Sequence, residues 1–242
     1  MKIHIFETAK EASQFACGEI ENIVKTVKNP VFGLPTGSTP LKLYALMTEN
    51  CKIGISYKNV YVFSLDEYVG FSKDDKNSYA YFLCKNLYEN IDINHKNTFS
   101  PNGLADDLQK EAENYSTLIA SMPPNLIVLG LGSNGHIAFN EPAERFIDYT
   151  HIVNLSENTR RDNSRLFPSF EAVPKQAVTM GIKDILSAKR IILTAFGKNK
   201  AQAVRAMLNG DVSPKCPASI LRTHGNVDVL LDTDAAEEII SF

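Results

Sequence analysis

Four places in this 242-residue chain gather residue types able to do chemistry beside a turn or a glycine. In VFGLPTGSTP at 31–40, Gly37, Ser38 and Thr39 can turn backbone N–H groups and two hydroxyls toward one point at the positive start of a helix. Such a point holds an anion, most naturally a phosphate. A plain strand-to-helix turn would use the same residues, with Thr39 as N-cap and Pro40 as the first helical residue. In NVYVFSLDEYVG at 59–70, Asp66 and Glu67 end an apolar run, so at least one carboxylate should sit half-buried at a crevice mouth. Burial raises a carboxyl pKa toward the range in which a general base works best, although acids after a strand also serve as simple caps.

The third place is NLIVLGLGSNGHIAFNEP at 125–142. Gly130, Gly132 and Gly135 make a formal G-x-G-x-x-G, but a dinucleotide fingerprint must open a long helix, and Pro142 follows His136 too closely. The better reading pairs His136 with Glu141 on one loop whose glycines let a substrate approach the backbone. His4, His95, His151 and His224 have no such setting. The fourth place is distributed: Arg160, Arg161 and Arg165 in ENTRRDNSR, and Lys198 and Lys200 in FGKNKA. One Arg fork and one Lys aimed at the Ser38–Thr39 turn would complete a phosphate clamp.

The elements that must position these residues are legible as an alternation. Short runs rich in Val, Ile, Leu and Phe occur at 2–6, 30–34, 59–65, 125–131, 189–196 and 227–231. They are apolar at neighbouring positions, as in parallel strands covered on both faces. Amphipathic stretches at 9–28, 40–50, 77–90, 106–121, 181–188, 198–209 and 234–240 separate them, and Ala12, Phe15, Ala16, Ile20, Ile23, Val24 and Val27 form a single helical stripe. The expectation is one α/β domain over 1–242: a three-layer, mostly parallel open sheet with helices on both faces. In such sheets ligands sit beyond the carboxyl ends of the strands, where the four places fall.

The 25 Lys and Arg against 28 Asp and Glu give a formal charge of −3 without a basic block, which argues against nucleic-acid binding driven by bulk charge. No apolar run approaches the ~20 residues of a membrane helix, and charge at Glu7 and Lys10 breaks any signal-peptide core, so a soluble cytoplasmic protein is expected. Cys17, Cys51, Cys84 and Cys216 are scattered without metal-ligand spacing and read as reduced structural thiols.

Taken in order, GLPTGSTP, SLDEYVG, LGLGSNGHIAFNEP, NTRRDNSR, VPKQAVTMGI and GKNKA resemble the glucosamine-6-phosphate deaminase family over essentially the whole chain. The fold-related 6-phosphogluconolactonases have a similar PTGSTP-like loop, but their Gly-His loop runs on toward Ser-Leu-Phe-Pro where this chain has HIAFNEP. The resemblance implies conversion of glucosamine 6-phosphate to fructose 6-phosphate and ammonia, without metal or other cofactor. By the same resemblance Asp66 moves the proton between carbons 2 and 1, and His136 assists ring opening. Glu141 and Asn134 orient that imidazole. Thr36, Gly37, Ser38, Thr39, Arg165 and Lys200 hold the sugar phosphate, and residues 142–180 form a lid. Many members carry Asp at the place of Asn134, so the His136 pKa is expected to depend mainly on Glu141. The residue pairs typical of hexameric, effector-activated members are replaced by Glu144–Arg145 and His151–Ile152–Val153, which points to a monomer or small homo-oligomer without such activation.

Overall fold

The six apolar runs become parallel strands in a computed structural model that describes residues 1–240. They are β1 (Lys2–Phe6), β2 (Val31–Leu34), β3 (Tyr61–Ser64), β6 (Leu126–Gly130), β9 (Ile191–Ala195) and β10 (Val227–Asp232), joined by a two-residue edge strand β5 (Thr98–Phe99). The sheet order is β1-β10-β9-β6-β2-β3-β5, and every pairing is parallel. Five of the runs are buried on two sides, which gives them their continuous apolar character, while the edge strand β1 leaves Ile3 and Ile5 exposed. In β6, Ile127 and Leu129 belong to one hydrophobic core while Leu126 and Val128 belong to the other, and β9 and β10 alternate in the same way. The second core is closed by α1 (Ala9–Thr26) and α2 (Leu41–Lys52), the first by α4 (Leu108–Ser121), α6 (Ile182–Leu186) and α7 (Ala201–Asn209). α1 starts at a capping box in which Thr8 and Glu11 exchange hydrogen bonds, an arrangement that satisfies two N–H groups the helix leaves open.

Strand order reverses between β2 and β6: from β2 the chain proceeds outward through β3 and β5, from β6 the other way through β9 and β10. The register Phe32↔Leu126 and Gly33↔Ile127 places the carboxyl ends of these two strands side by side. The loops after them, one with Gly37–Ser38–Thr39 and one with His136, therefore face each other across the crevice where open α/β sheets bind ligands.

A second sheet was not anticipated. β4 (Asp66–Tyr68), β8 (Gln176–Thr179) and β7 (His151–Asn154) form three antiparallel strands, with Asp66 paired to Thr179 and His151 also paired to Thr179. Strands this short carry little periodicity, and β7 is only partly buried. Helix bounds also differ from expectation. α2 begins at Leu41, after a turn through Thr39 and Pro40, and no side chain caps it, so Thr39 is not the N-cap. The stretch 77–90 splits into α3 (Tyr79–Asn86) and a 3-10 turn at Tyr88–Asn90, 198–209 opens with a 3-10 turn, and only Glu237–Ile240 of 234–240 is helical, as α8. The lid stretch 142–180 contains β7, α5 (Glu157–Asn163) and β8. The four cysteines are free thiols, and among the described residues no helix is long and apolar enough to cross a membrane.

Candidate active site

Beyond the ends of β2 and β6 lies a cavity of about 750 Å³ whose walls include Thr36, Gly37, Ser38, Thr39, Asp66, His136, Arg165 and Lys200. The first four come from the turn after β2, where Gly37 adopts a φ of +90°, a conformation that favours glycine. Asp66 opens β4 directly after the bend at Leu65, and at 6% exposure it is nearly desolvated. No hydrogen-bond donor of the described residues reaches its carboxylate, so burial, with the neighbouring Glu67 charge second, holds its pKa well above the usual carboxylate value. A buried carboxylate with its lone pairs free is equipped to take a proton.

Glu67 points away from that role. On a strand, successive side chains face opposite sides. Its oxygens accept three backbone N–H bonds, from Tyr68 (2.9 Å), Tyr79 (2.9 Å) and Ala80 (2.8 Å), and so fasten the start of α3 to β4. Burial pushes its pKa up to about 7 against the pull of those three donors. Glu67 also borders a separate cleft of about 830 Å³ lined by His95, Asn102, Glu111 and Tyr115, which contains none of the other predicted site residues.

His136 is fixed by a line of three side chains. Its Nδ1 lies 2.7 Å from Asn134 Oδ1, Asn134 Nδ2 donates to Glu141 Oε2 at 2.8 Å, and the direct Nδ1–Oε2 separation is 4.0 Å. A carboxylate can only accept, so the Asn134 amide must turn its NH₂ to Glu141 and its oxygen to the ring. The imidazole proton then sits on Nδ1, and Nε2 is the basic nitrogen. Ser156 Oγ donates to the second Glu141 oxygen at 3.1 Å. Burial, the largest influence, lowers the His136 pKa, Glu141 opposes it, and Lys200 adds to the lowering. This corrects the expectation that Glu141 dominates: it is the largest charge acting on the ring, but desolvation outweighs it.

The glycines of this loop have a steric purpose rather than a nucleotide one. A Cβ on Gly132 would lie 2.2 to 2.5 Å from three His136 ring atoms, so the ring rests directly on backbone. Gly132 N–H donates to His136 O and Gly135 N–H to Gly132 O, closing a tight loop with no helix after it. The dinucleotide reading fails on that point.

Of the basic candidates, Arg165 Nη2 donates to Ser38 Oγ at 3.2 Å, and Lys200 is a partly buried ammonium whose pKa is lowered by that burial. The others serve elsewhere: Arg160 donates to Phe170 O and Val173 O, Arg161 pairs with Glu157, and Lys198 pairs with Glu237. The sequence reading missed Asp162, whose Oδ2 accepts from Ser133 Oγ at 3.2 Å, and the chain Tyr79 OH→Tyr68 OH←Asn163 Nδ2 at 3.1 and 3.0 Å. These links join residues 29 to 95 positions apart, except for Tyr68–Tyr79, and leave no local sequence signal. Among the described residues, no group of three or more His, Cys, Asp or Glu side chains is placed to hold a metal ion.

The model of glucosamine-6-phosphate isomerases/6-phosphogluconolactonase matches residues 6–230. A glucosamine-6-phosphate deaminase of Oceanobacillus iheyensis is 45% identical over 241 residues, 99% of this chain and 96% of the relative. One of Bacillus cereus is 44% identical over 235 residues, 97% and 88% of the two chains. A solved monomeric glucosamine-6-phosphate deaminase superposes with a TM-score of 0.96 at 43% identity, covering 98% of this chain and all of the other. A 6-phosphogluconolactonase of Trypanosoma brucei, 22% identical with a TM-score of 0.77 over 98% of each chain, shares the fold.

Proposed function

Because the chain belongs to the family of glucosamine-6-phosphate isomerases and 6-phosphogluconolactonase, we infer from its relatives there that it is a glucosamine-6-phosphate deaminase. It interconverts glucosamine 6-phosphate and water with fructose 6-phosphate and ammonia. The observation that carries the assignment of roles is the meeting, in one cavity, of a buried carboxylate without donors and an imidazole whose protonated nitrogen is fixed.

Arg165 and Lys200, with the hydroxyls of Ser38 and Thr39 and the open backbone at Gly37, receive the phosphate, and Thr36 lines the path to it. A remote dianion supplies binding energy that places the sugar carbons. Neutral His136 takes the C1 hydroxyl proton on Nε2 and returns it to the ring oxygen, breaking the C1–O5 bond and giving the open aldehyde. Asn134 and Glu141 stabilise the transient imidazolium through Nδ1. The aldehyde acidifies the C2 proton. Asp66 removes it, and the electron pair forms the C1–C2 double bond of an enolamine as the aldehyde oxygen takes a proton from solvent, one that the later addition of water gives back. Asp66 then delivers its proton to C1, leaving an iminium at C2, to which water adds as ammonia departs. General acid–base steps of this kind each contribute about 10²–10⁴-fold.

Residues 142–180 form the cover over the sugar. Supporting this, Asn163 and Arg165 within it line the cavity, and Arg165 donates to Ser38 of the turn after β2. The protein works as a monomer in the cytoplasm, a reading supported by the monomeric state named for one similar structure. The decisive assay mixes the protein with glucosamine 6-phosphate and measures ammonia and fructose 6-phosphate together. Equimolar release supports the reading. Hydrolysis of 6-phosphogluconolactone with no ammonia from the amino sugar refutes it.

A further inference from the structure

Three nearly consecutive residues at and just after the end of α5 line the cavity and tie it to three different segments. Asp162 accepts from Ser133 in the loop after β6, Asn163 donates to Tyr68 of β4, and Arg165 donates to Ser38 after β2. Two of these suit a phosphate site. Asp162 does not: its carboxylate lines the same cavity as Arg165 and Lys200, where the arriving ligand is itself an anion. Among the described residues no hydrogen bond holds the Lys200 ammonium, and the Asp162 charge acts on it and on His136.

We propose that Asp162 is an affinity-setting residue that opposes phosphate. In the empty site its carboxylate, held by Ser133, balances the Lys200 charge. A bound phosphate takes over Lys200 and is repelled by the same carboxylate. Every phosphate ligand is thereby weakened by a similar factor. Because the factor is common to all of them, it sets how readily the site empties and leaves the ratio between a hexose phosphate and inorganic phosphate unchanged. Asp162 thus keeps the site exchangeable toward inorganic phosphate and phosphate ester alike. The inference rests on the phosphate role of Arg165 and Lys200, and the two can fail separately.

The test titrates inorganic phosphate as a competitive inhibitor into the full chain and its variants. Asp162→Asn keeps an oxygen for Ser133 and removes only the charge. The phosphate inhibition constant is expected to fall about fivefold, the size of one exposed charge pair. KM for glucosamine 6-phosphate should fall in step and kcat should not rise. Asp162→Glu should restore the weaker binding, and raising the salt concentration should shrink the difference. A merely structural Asp162 predicts the opposite sign, because loosening α5 would weaken phosphate. If Arg165→Ala weakens phosphate while Asp162→Asn leaves it unchanged or weaker, the proposal is overturned and the phosphate site stands. If Arg165→Ala also leaves phosphate unchanged, the site and the proposal fall together.

Discussion

Replacing Gly132 by alanine adds one methyl group, and the geometry says where the strain goes. The new Cβ would stand 2.2 Å from His136 Nδ1, 2.3 Å from Cε1 and 2.5 Å from Cγ. Ordinary contact begins at 3.4 Å, so the ring must withdraw by about 1.2 Å from its present seat. The φ of Gly132 lies outside the left-handed region, so alanine itself meets no backbone obstacle there. The ring cannot move that far and keep its 2.7 Å bond to Asn134 Oδ1. Displacement of a catalytic group by about 1 Å reduces turnover by about 10²-fold. kcat/KM for glucosamine 6-phosphate should therefore fall about a hundredfold, while the inhibition constant for inorganic phosphate, proposed to depend on Arg165 and Lys200, stays near the wild-type value. A Gly132→Ala enzyme retaining more than about a third of wild-type kcat/KM would refute the claim that catalysis needs the ring seated on this backbone.

Three further expectations follow from the same geometry. Asp66→Asn should abolish turnover yet raise Tm at neutral pH. The folded chain keeps the Asp66 proton to a higher pH than the unfolded chain, so ionisation costs stability above about pH 4, and a gain that failed to shrink as pH fell toward that value would contradict the assigned burial effect. Glu141→Gln leaves Asn134 an acceptor but removes the charge opposing desolvation, so an NMR titration should show the His136 pKa moving further down; an unmoved or higher value would detach Glu141 from the ring. Arg165→Ala should raise KM about tenfold or more with kcat little changed, the size of a lost charge-assisted bond, and equal losses in both constants would place Arg165 in the chemistry instead.

How far the sequence could be read depended on the range of the forces involved. Five of the six main strands were legible because each is buried on both sides, which forces an unbroken apolar run, as in Leu126–Leu129, whereas the edge strand β1 shows its apolar residues to solvent at Ile3 and Ile5. The turn at Gly37 and the Asp66 carboxylate were legible because each directly follows such a run. Thr39 misled: its type suits an N-cap, but the chain spends Thr39 and Pro40 in a turn and starts α2 at Leu41. The second sheet was hidden because β4 is three residues long and its partners lie over a hundred positions away. The Arg and Lys candidates could not be sorted by type. Only packing reveals that Arg160 ties down Phe170 and Val173 while Arg165 reaches Ser38. The His136 pKa was misjudged for a related reason, since desolvation is a property of the whole surrounding fold rather than of a neighbour on the same loop.

The antiparallel ladder that begins at Asp66 has a mechanical consequence. Because β8 is laced to β4 on one side and to β7 on the other, neither strand can swing outward without dragging Asp66 along. The stretch between Leu155 and Lys175 lies outside this ladder, and its Leu155 N–H to Lys175 O bond pins its two ends together. That stretch is thus a closed loop with a stapled neck, free to shift as a unit while the ladder holds Asp66 in place.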